Sequence, residues 1–283
     1  MNLEHVMNRL IEKIENSEGN WIQPFNNSMP SNFTNNTEYS GINIINLWIE
    51  AEERGYTTNE WATFKQIKAM NGTVDKGEKG TTIFFFKPTK IKEIDEETSE
   101  ETEKTIPMLK TYLVFNKDQT SLKDTATSNE ILELEELKSN LFVELKHSNK
   151  GAFYNPKSDY INMPHIDSFI SSDFYYAVLL HELAHSTAHK IRLNRDLNGR
   201  VNGTKAELIS YAKEELIAET TRSFLQVRMG LNSTKMEEQN ALYLKSWLKP
   251  LKENPKILWS IFSEASKAYN FILENTKAKE EAA

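Results

Sequence analysis

The segment His181-Glu182-Leu183-Ala184-His185 has the residue types and the spacing of a metal site. On a helix, side chains four residues apart project from the same face, so both imidazoles can bind one ion at about 2.0–2.1 Å. Glu182 lies roughly 100° round the helix, where its carboxylate can take a proton from a bound water. The pattern H-E-x-x-H predicts a zinc ion (Zn²⁺) held by His181 and His185, with Glu182 as the catalytic base. The alternative is a helix whose polar side chains face only solvent or a polar network.

A catalytic zinc ion needs a third protein ligand, and acids for that role lie downstream. Residues 205–227 have the periodicity of an amphipathic helix that contains Glu214, Glu215 and Glu219. We expect Glu215 to be the third ligand, and Glu219, one turn on, to hold the free nitrogen of a ligand histidine. Glu214 and Glu219 remain alternatives for the ligand, because paired glutamates on helices are usually solvated.

Two further side chains are candidates for stabilising the oxyanion of peptide hydrolysis. His189 lies one turn beyond His185, and Tyr211 lies one turn before Glu215. Each could donate a hydrogen bond beside the metal. The alternative for His189 is an ordinary polar residue near a helix end, where a cation meets the negative end of the dipole.

The elements around the motif can be predicted from turn and capping signals. Residues 171–173 offer N-cap side chains, and the apolar run 174–180 leads directly into H-E-x-x-H, which predicts a buried helix. Residues 151–154 and 160–163 flank a turn at 155–159, which predicts a β-hairpin. An extended peptide could pair with such an edge strand, or the hairpin could simply cover the core.

The composition limits the class of protein. The chain has 283 residues, 39% of them hydrophobic and 27% charged, which is enough for two domains with sizeable cores. It contains no cysteine, so a metal must be held by histidine and carboxylate. No segment resembles a signal peptide or a membrane span, and we therefore expect a cytoplasmic protein without membrane contact.

The net charge of −7 is unevenly spread. Seven acidic residues lie between positions 93 and 103, as many as the excess of acidic over basic residues in the whole chain. This stretch predicts an exposed hairpin loop or a disordered excursion. Residues 61–92 hold seven lysines and two acids, a local charge of 7 − 2 = +5, with aromatic residues interleaved. Lysines and rings together are typical of single-stranded DNA binding, although most such rings could equally form a core. The candidate DNA-binding residues are Trp21, Tyr39, Trp61, Lys65, Lys76, Lys79 and Lys87.

A coarse assignment completes the chain. We predict helices at 2–16, 39–54 and 61–70, strands at 81–87 and 105–116, and an exposed linker at 117–129. The fold class is α+β: a small α+β DNA-binding domain at 1–125, then a mainly helical metallopeptidase-like domain with a β-hairpin or small sheet at 130–283.

Several motifs in fixed order resemble those of ArdC-type antirestriction proteins. In the first half they occupy residues 21–25, 30–32, 39–43, 61–66 and 74–80, and in the second half residues 159–164, 181–189, 192–195 and 211–219. The resemblance implies a single-stranded DNA-binding domain joined to a zincin-like metallopeptidase domain, encoded on plasmids, conjugative elements or phages. Such proteins shield incoming DNA from restriction. The resemblance places the metal on His181, His185 and an acid of 214–219, with Glu182 as base.

Three functional hypotheses follow. The first is a zinc hydrolase that acts on a protein or peptide close to DNA, which the presence of Glu182 favours. The second is a non-enzymatic, DNA-binding protector with a structural or vestigial zinc site. The third is a protein-interaction module with neither activity.

Overall fold

The computed structural model describes residues 3–16, 28–94, 101–123, 134–195, 205–231 and 251–276. The helices are α1 Leu3–Asn16, α2 Ile42–Arg54, α3 Phe64–Ala69, α4 Leu134–Ser139, α5 Ser172–Ser186, α6 Lys205–Arg228 and α7 Lys256–Asn275. The strands are β1 Ser31–Asn32, β2 Thr37–Glu38, β3 Glu60–Thr63, β4 Thr81–Ile94, β5 Glu101–Asn116, β6 Glu144–His147, β7 Phe153–Asn155 and β8 Tyr160–Met163. The predicted α+β class is confirmed.

The strands form two sheets. The first has the order β2-β1-β3-β5-β4, with β1 and β3 parallel and the other pairs antiparallel. The second has the order β6-β8-β7, in which β6 runs parallel and β7 antiparallel to β8. The predicted hairpin is therefore present as β7 and β8, and β7 is an edge strand beside α5.

The predicted helix at 61–70 is wrong in its first three residues. Residues 60–63 form β3, and Trp61 is a fully buried strand residue. The helix starts only after Thr63, whose side chain accepts a hydrogen bond from the Gln66 amide while the Gln66 side chain accepts one from Thr63. This capping box fixes the helix start at Phe64.

The predicted exposed linker is wrong at its start, residues 117–120, whereas Ser121 and Lys123 are exposed as predicted. Lys117, Gln119 and Thr120 are almost completely buried. Lys117 Nζ lies 2.7 Å from Glu60 Oε2, and Thr120 forms a β-bridge with Val74. These polar side chains can be buried because each has a specific partner, whereas composition alone predicts that they are exposed to solvent. The remainder of the predicted linker, from residue 124, lies outside the described residues.

The two predicted strands of the long hairpin are present and are longer than expected. β4 and β5 pair continuously from Thr81 with Val114 to Ile94 with Glu101. Part of the acidic stretch therefore belongs to strands rather than to a loop, and its residues 95–100 lie outside the described residues.

The largest hydrophobic core of the described residues spans both halves of the chain, and two smaller clusters, around Trp61 and around Ile67, lie within the first half. The largest cluster of buried side chains includes residues of α1, α2, β4, α5, α6 and α7. The ring of Trp48 on α2 meets Phe224 on α6 edge-on, with 5.7 Å between centroids, and Phe86 on β4 meets Trp259 on α7 at 4.9 Å. Side chains from both sides of the predicted boundary between 1–125 and 130–283 therefore pack together in this largest cluster.

Side chains of α2 cover the outer edge of β4. Asn43 accepts a hydrogen bond from the Phe84 amide and donates one to the Phe84 carbonyl, both at 2.8 Å. Asn46 donates to the Thr82 carbonyl at 2.9 Å. These amides take the place of a neighbouring strand and fix the sheet to the shared core.

The described helices include none that is both long and apolar enough to span a membrane.

Candidate metal centre

Helices α5 and α6 pack against each other and supply the candidate centre. Ser171 caps α5, because its side chain accepts a hydrogen bond from the Phe174 amide at 3.2 Å. The following apolar residues, among them Tyr175, Leu179 and Leu180, are completely buried. The helix is therefore held firmly in the core, and its last two turns carry His181, Glu182 and His185 toward α6.

Three candidate ligands converge between the two helices. The Nε2 atoms of His181 and His185 are 3.1 Å apart. Each Nε2 also lies 3.6 Å from a carboxylate oxygen of Glu215, Oε2 for His181 and Oε1 for His185. Among the described residues these three form the group whose ligand atoms all lie within 4.8 Å of one another.

The spacing of these ligand atoms fits a first-row divalent ion. Zinc bonds of about 2.0–2.1 Å in tetrahedral geometry place neighbouring ligand atoms about 3.3 Å apart. The two Nε2 atoms are 3.1 Å apart, and each lies 3.6 Å from a different oxygen of the Glu215 carboxylate, which is close to that separation. Two imidazoles and one carboxylate suit zinc and also manganese, so the donor set supports a divalent metal without choosing between them.

A carboxylate holds the other ring nitrogen of His185. Its Nδ1 lies 3.3 Å from Glu214 Oε1. Arg195 binds the same carboxylate through two hydrogen bonds, from Nε to Oε2 at 2.9 Å and from Nη2 to Oε1 at 2.8 Å. Burial raises the pKa of Glu214, but Arg195 and His185 outweigh it and hold the pKa below its usual range. Glu214 is therefore an ionised partner of a ligand, which fixes the ligand's tautomer.

Glu219 lies at ion-pair distance from the other ring nitrogen of His181, although the pair does not have hydrogen-bond geometry. That nitrogen, Nδ1, lies 3.3 Å from Glu219 Oε2, and Arg222 binds that carboxylate through Nε and Nη2. Burial opposes ionisation of Glu219, yet Arg222 and His181 lower its pKa to about 2. Burial likewise disfavours a charged His181, but Glu215 and Glu219 outweigh it and raise its pKa to about 10. Glu219 therefore lies within ion-pair distance of His181, and its role as partner of a metal ligand stays a prediction.

The remaining predicted site residues occupy distinct positions. Burial raises the pKa of Glu215, but His181 and His185 outweigh it and hold the pKa below its usual range. A hydrogen bond with the half-buried Tyr211 adds to this lowering. Glu182 accepts a hydrogen bond from the Tyr154 amide of β7 at 2.7 Å. His189 lies beyond the end of α5, where its Nδ1 accepts from the Ile191 amide at 3.4 Å, and it is not in the group of converging ligands.

Sequence reasoning missed both arginines that hold the partner carboxylates. Arg222 had a signal, since it follows Glu219 by three residues on the same helix, a spacing that brings side chains together. Arg195 had none, because 19 residues separate it from Glu214 and only the fold brings them into contact.

The candidate DNA-binding residues divide into buried and exposed groups. Trp61 is completely buried and Tyr39 is 8% exposed, so no base can reach either ring without opening the core. Trp21 lies outside the described residues. The four lysines are exposed: Lys65, Lys76, Lys79 and Lys87.

Other rings are available on the long hairpin. Phe85 and Tyr112 are 41% and 49% exposed, and their rings meet edge-on with 5.8 Å between centroids. Phe85 pairs across the strands with Lys110, and Lys87 pairs with Met108. Cross-strand partners project from the same side of a sheet, and alternate residues share that side. We call this surface the hairpin face, defined by Phe85, Lys87, Met108, Lys110 and Tyr112.

Two family models together match most of the chain. The N-terminal domain of anti-restriction factor ArdC matches residues 2–115, and a zincin-like metallopeptidase model, MPTase-PolyVal, matches residues 132–267. The second match includes all the converging ligands and their partners.

Individual proteins are similar over the same length. The crystal structure of the antirestriction protein ArdC from plasmid R388 in its metal-free form has a TM-score of 0.75 and 36% identity, covering 98% of each chain. Its Mn(II)-bound form has a TM-score of 0.75 and 35% identity, covering 99% of this chain and 100% of that one. The uncharacterized protein y4eC of Sinorhizobium fredii is 30% identical over 94% of this chain and 88% of its own length. DNA primase TraC of Escherichia coli is 32% identical over 95% of this chain, which spans 27% of TraC. This chain belongs to the ArdC family of antirestriction proteins.

Proposed function

We propose that this antirestriction protein binds one divalent metal ion through His181, His185 and Glu215, and that the centre hydrolyses a peptide bond. The observation that carries the proposal is the convergence of two Nε2 atoms and one carboxylate, with a separate glutamate, Glu182, beside them. A structural metal site needs no such base. The Mn(II)-bound form of the R388 relative supports a divalent ion.

The protein residues would share the chemistry as follows. A divalent ion at this centre would polarise a carbonyl group and activate water. Glu182, oriented by the Tyr154 amide, accepts the proton from the attacking water and can pass it to the leaving nitrogen. Tyr211, next to Glu215, is the nearest candidate donor to the developing oxyanion, and His189 has no comparable placement.

The geometry of β7 limits how a peptide could bind. In an antiparallel pair, alternate residues direct both backbone groups away from the partner strand. The outward Tyr154 amide is already bound to Glu182, and Pro156 two residues on has no amide hydrogen. The outer edge of β7 therefore offers few donors to a third strand. This favours a substrate that enters the centre without a long extension of the sheet.

Metal analysis with single variants tests the proposal. Metal-stripped protein should take up about one zinc or manganese ion per chain after incubation and desalting. His185→Ala should lose this ion, whereas Glu182→Gln should keep it and lose cleavage of a denatured protein substrate, because Glu182 is a base and not a ligand. Wild-type protein that remains metal-free would contradict metal binding. Equal cleavage by Glu182→Gln would contradict the assigned base.

We infer a second function for the hairpin face, the binding of single-stranded DNA. The observation that supports this function is the pair of exposed rings, Phe85 and Tyr112, beside Lys87 and Lys110. Exposed rings stack on unpaired bases, while lysines neutralise the phosphates. The ArdC N-terminal domain match over residues 2–115 supports this assignment, because the whole face lies within it.

A matched pair of ring variants tests the DNA face. Phe64 is 50% exposed but lies on α3 against Phe115, which projects from the opposite side of β5 to Tyr112. Tyr112→Ala should weaken binding of a fluorescent oligothymidine by roughly 1–3 kcal/mol, and Phe64→Ala should change it little. The reverse order would move the DNA to the α3 side of the sheet. No binding at low salt would contradict DNA binding itself.

A further inference from the structure

The turn that follows α5 carries two buried arginines three residues apart. Backbone hydrogen bonds fix the turn, from Arg192 to the His189 carbonyl at 2.8 Å and from Arg195 to the Ala188 carbonyl at 3.0 Å. Asn194 between them has a φ of 49°, a left-handed conformation that turns the chain. The side chains of Arg192 and Arg195 are only 6% and 7% exposed. Such burial needs specific partners, and the two arginines have different ones.

Arg195 acts on the ligand His185 indirectly, by holding Glu214 in place. Besides its two hydrogen bonds to Glu214, it donates from Nη1 to Thr187 Oγ1 at 2.8 Å and from Nη2 to the Ala184 carbonyl at 3.1 Å. It therefore fixes Glu214 on α6 relative to the end of α5. Since Glu214 faces Nδ1 of His185, Arg195 sets the orientation in which that imidazole presents Nε2 to a metal.

Arg192 acts instead on the base Glu182, by holding the β7–β8 hairpin in place. Its Nε donates to the Ser186 carbonyl at 2.7 Å, and its Nη1 donates to Asp159 Oδ2 at 3.1 Å, with a second contact from Nη2 to Asp159 Oδ1. Nη2 also lies 3.3 Å from the Tyr154 hydroxyl, which donates to Asp159 at 2.8 Å. These contacts tie the β7–β8 turn to the end of α5. They fix the strand whose Tyr154 amide holds Glu182.

We propose that the Arg192-Leu193-Asn194-Arg195 turn positions the two halves of the centre separately: Arg195 orients the metal ligand His185 through Glu214, and Arg192 orients the base Glu182 through β7. Both arginines are positioning residues, since neither lies in the converging ligand group. The inference rests on the proposed metal function, but it makes the added claim that the two roles can be lost independently.

Two matched variants test this division. Arg195→Gln should weaken Mn(II) or Zn(II) binding about 10- to 100-fold by calorimetry, the usual effect of losing a partner of a ligand. Arg192→Gln should leave metal affinity within about threefold, but the Tyr154 amide should exchange its hydrogen at least about tenfold faster by NMR or mass spectrometry. Glu182→Ala sets the upper limit for that exchange rate. Lysine at position 195 should not restore affinity, because it lacks the two-pronged donor geometry.

A double-mutant cycle separates positioning from general loss of structure. If Arg195 acts through Glu214, Glu214→Gln should reduce affinity similarly, and the double variant should lose little more than either single variant. Glu214→Gln also serves as the test if Arg195→Gln does not fold. Unchanged affinity in Arg195→Gln, additive losses in the double variant, or equal loss in Arg192→Gln would overturn the inference. Wild-type protein without metal affinity would instead overturn the proposed function, and Tyr154 exchange would still report on Arg192.

Discussion

The metal centre and the hairpin face differ in how much freedom their side chains have. At the centre, Glu214 and Glu219 each lie beside one ligand histidine, and an arginine holds each of them in turn. On the hairpin face, Phe85 and Tyr112 are about half exposed, and their rings meet each other edge-on. Metal ligands must be correct to a fraction of an ångström, whereas stacking on successive bases tolerates adjustment. This difference agrees with the two proposals, that the centre carries out chemistry and that the hairpin face binds single-stranded DNA.

The two regions nevertheless share one core, and a core variant should affect both. Trp48→Ala removes the ring that links α2 to α6 and should lower the free energy of unfolding by about 3–5 kcal/mol. Denaturant unfolding followed by far-ultraviolet circular dichroism and by release of bound metal should show coincident transitions in the wild type and the variant. Metal-binding fragments that fold independently of residues 1–125 would contradict the shared core.

Within the centre, neighbouring glutamates should differ sharply. Glu215→Ala removes a ligand and should reduce metal affinity by more than about a hundredfold, beyond the loss caused by removing a ligand's partner. Glu214→Ala should reduce affinity less, by about 10- to 100-fold. Competition with a chromogenic chelator measures both. The opposite order would make Glu214 the third ligand.

The sequence leaves fewer alternatives for the candidate ligands on α5 than for those on α6. H-E-x-x-H defines its own geometry, because both histidines and the proposed base lie on one helix. Glu214 and Glu215 are adjacent, and which of them faces the metal depends on the rotation of α6, set by buried residues such as Leu216 and Phe224. No local pattern reports that rotation. Trp61 and Lys117 were misassigned for a similar reason, since a capping box and a buried ion pair decide their environments.

The metal should also compete with a proton. The pKa of His181 is about 10, above its ordinary value of 6.5, in the metal-free fold. Protonated His181 therefore stabilises that fold fully below about pH 6.5, and the contribution is lost as the pH rises toward 10. A metal binds only the neutral ring, so affinity should rise about tenfold per pH unit between pH 7 and 9. Calorimetry in buffers of different ionisation enthalpy should count about one proton released. A flat profile would contradict a protonated His181.

The smallest expected effects are on the hairpin face. Replacing both Lys87 and Lys110 by alanine should make the plot of log affinity against log salt concentration less steep. The slope should fall in magnitude by about 0.7 per lysine. The matched control is the pair Lys76 and Lys79, which the sequence also predicts to contact DNA. If the control pair alone flattens the salt dependence, the phosphates follow the turn before β4 and not the hairpin face.

Anomalous diffraction from crystals of metal-loaded protein would locate the ion and its ligands directly. We expect one strong peak about 2.0–2.2 Å from Nε2 of His181, Nε2 of His185 and an Oε atom of Glu215. Glu214 and Glu219 should stay on the Nδ1 atoms, bound to Arg195 and Arg222. A peak bonded to Glu214, to Glu219 or to an Nδ1 atom would contradict this assignment of ligands and partners.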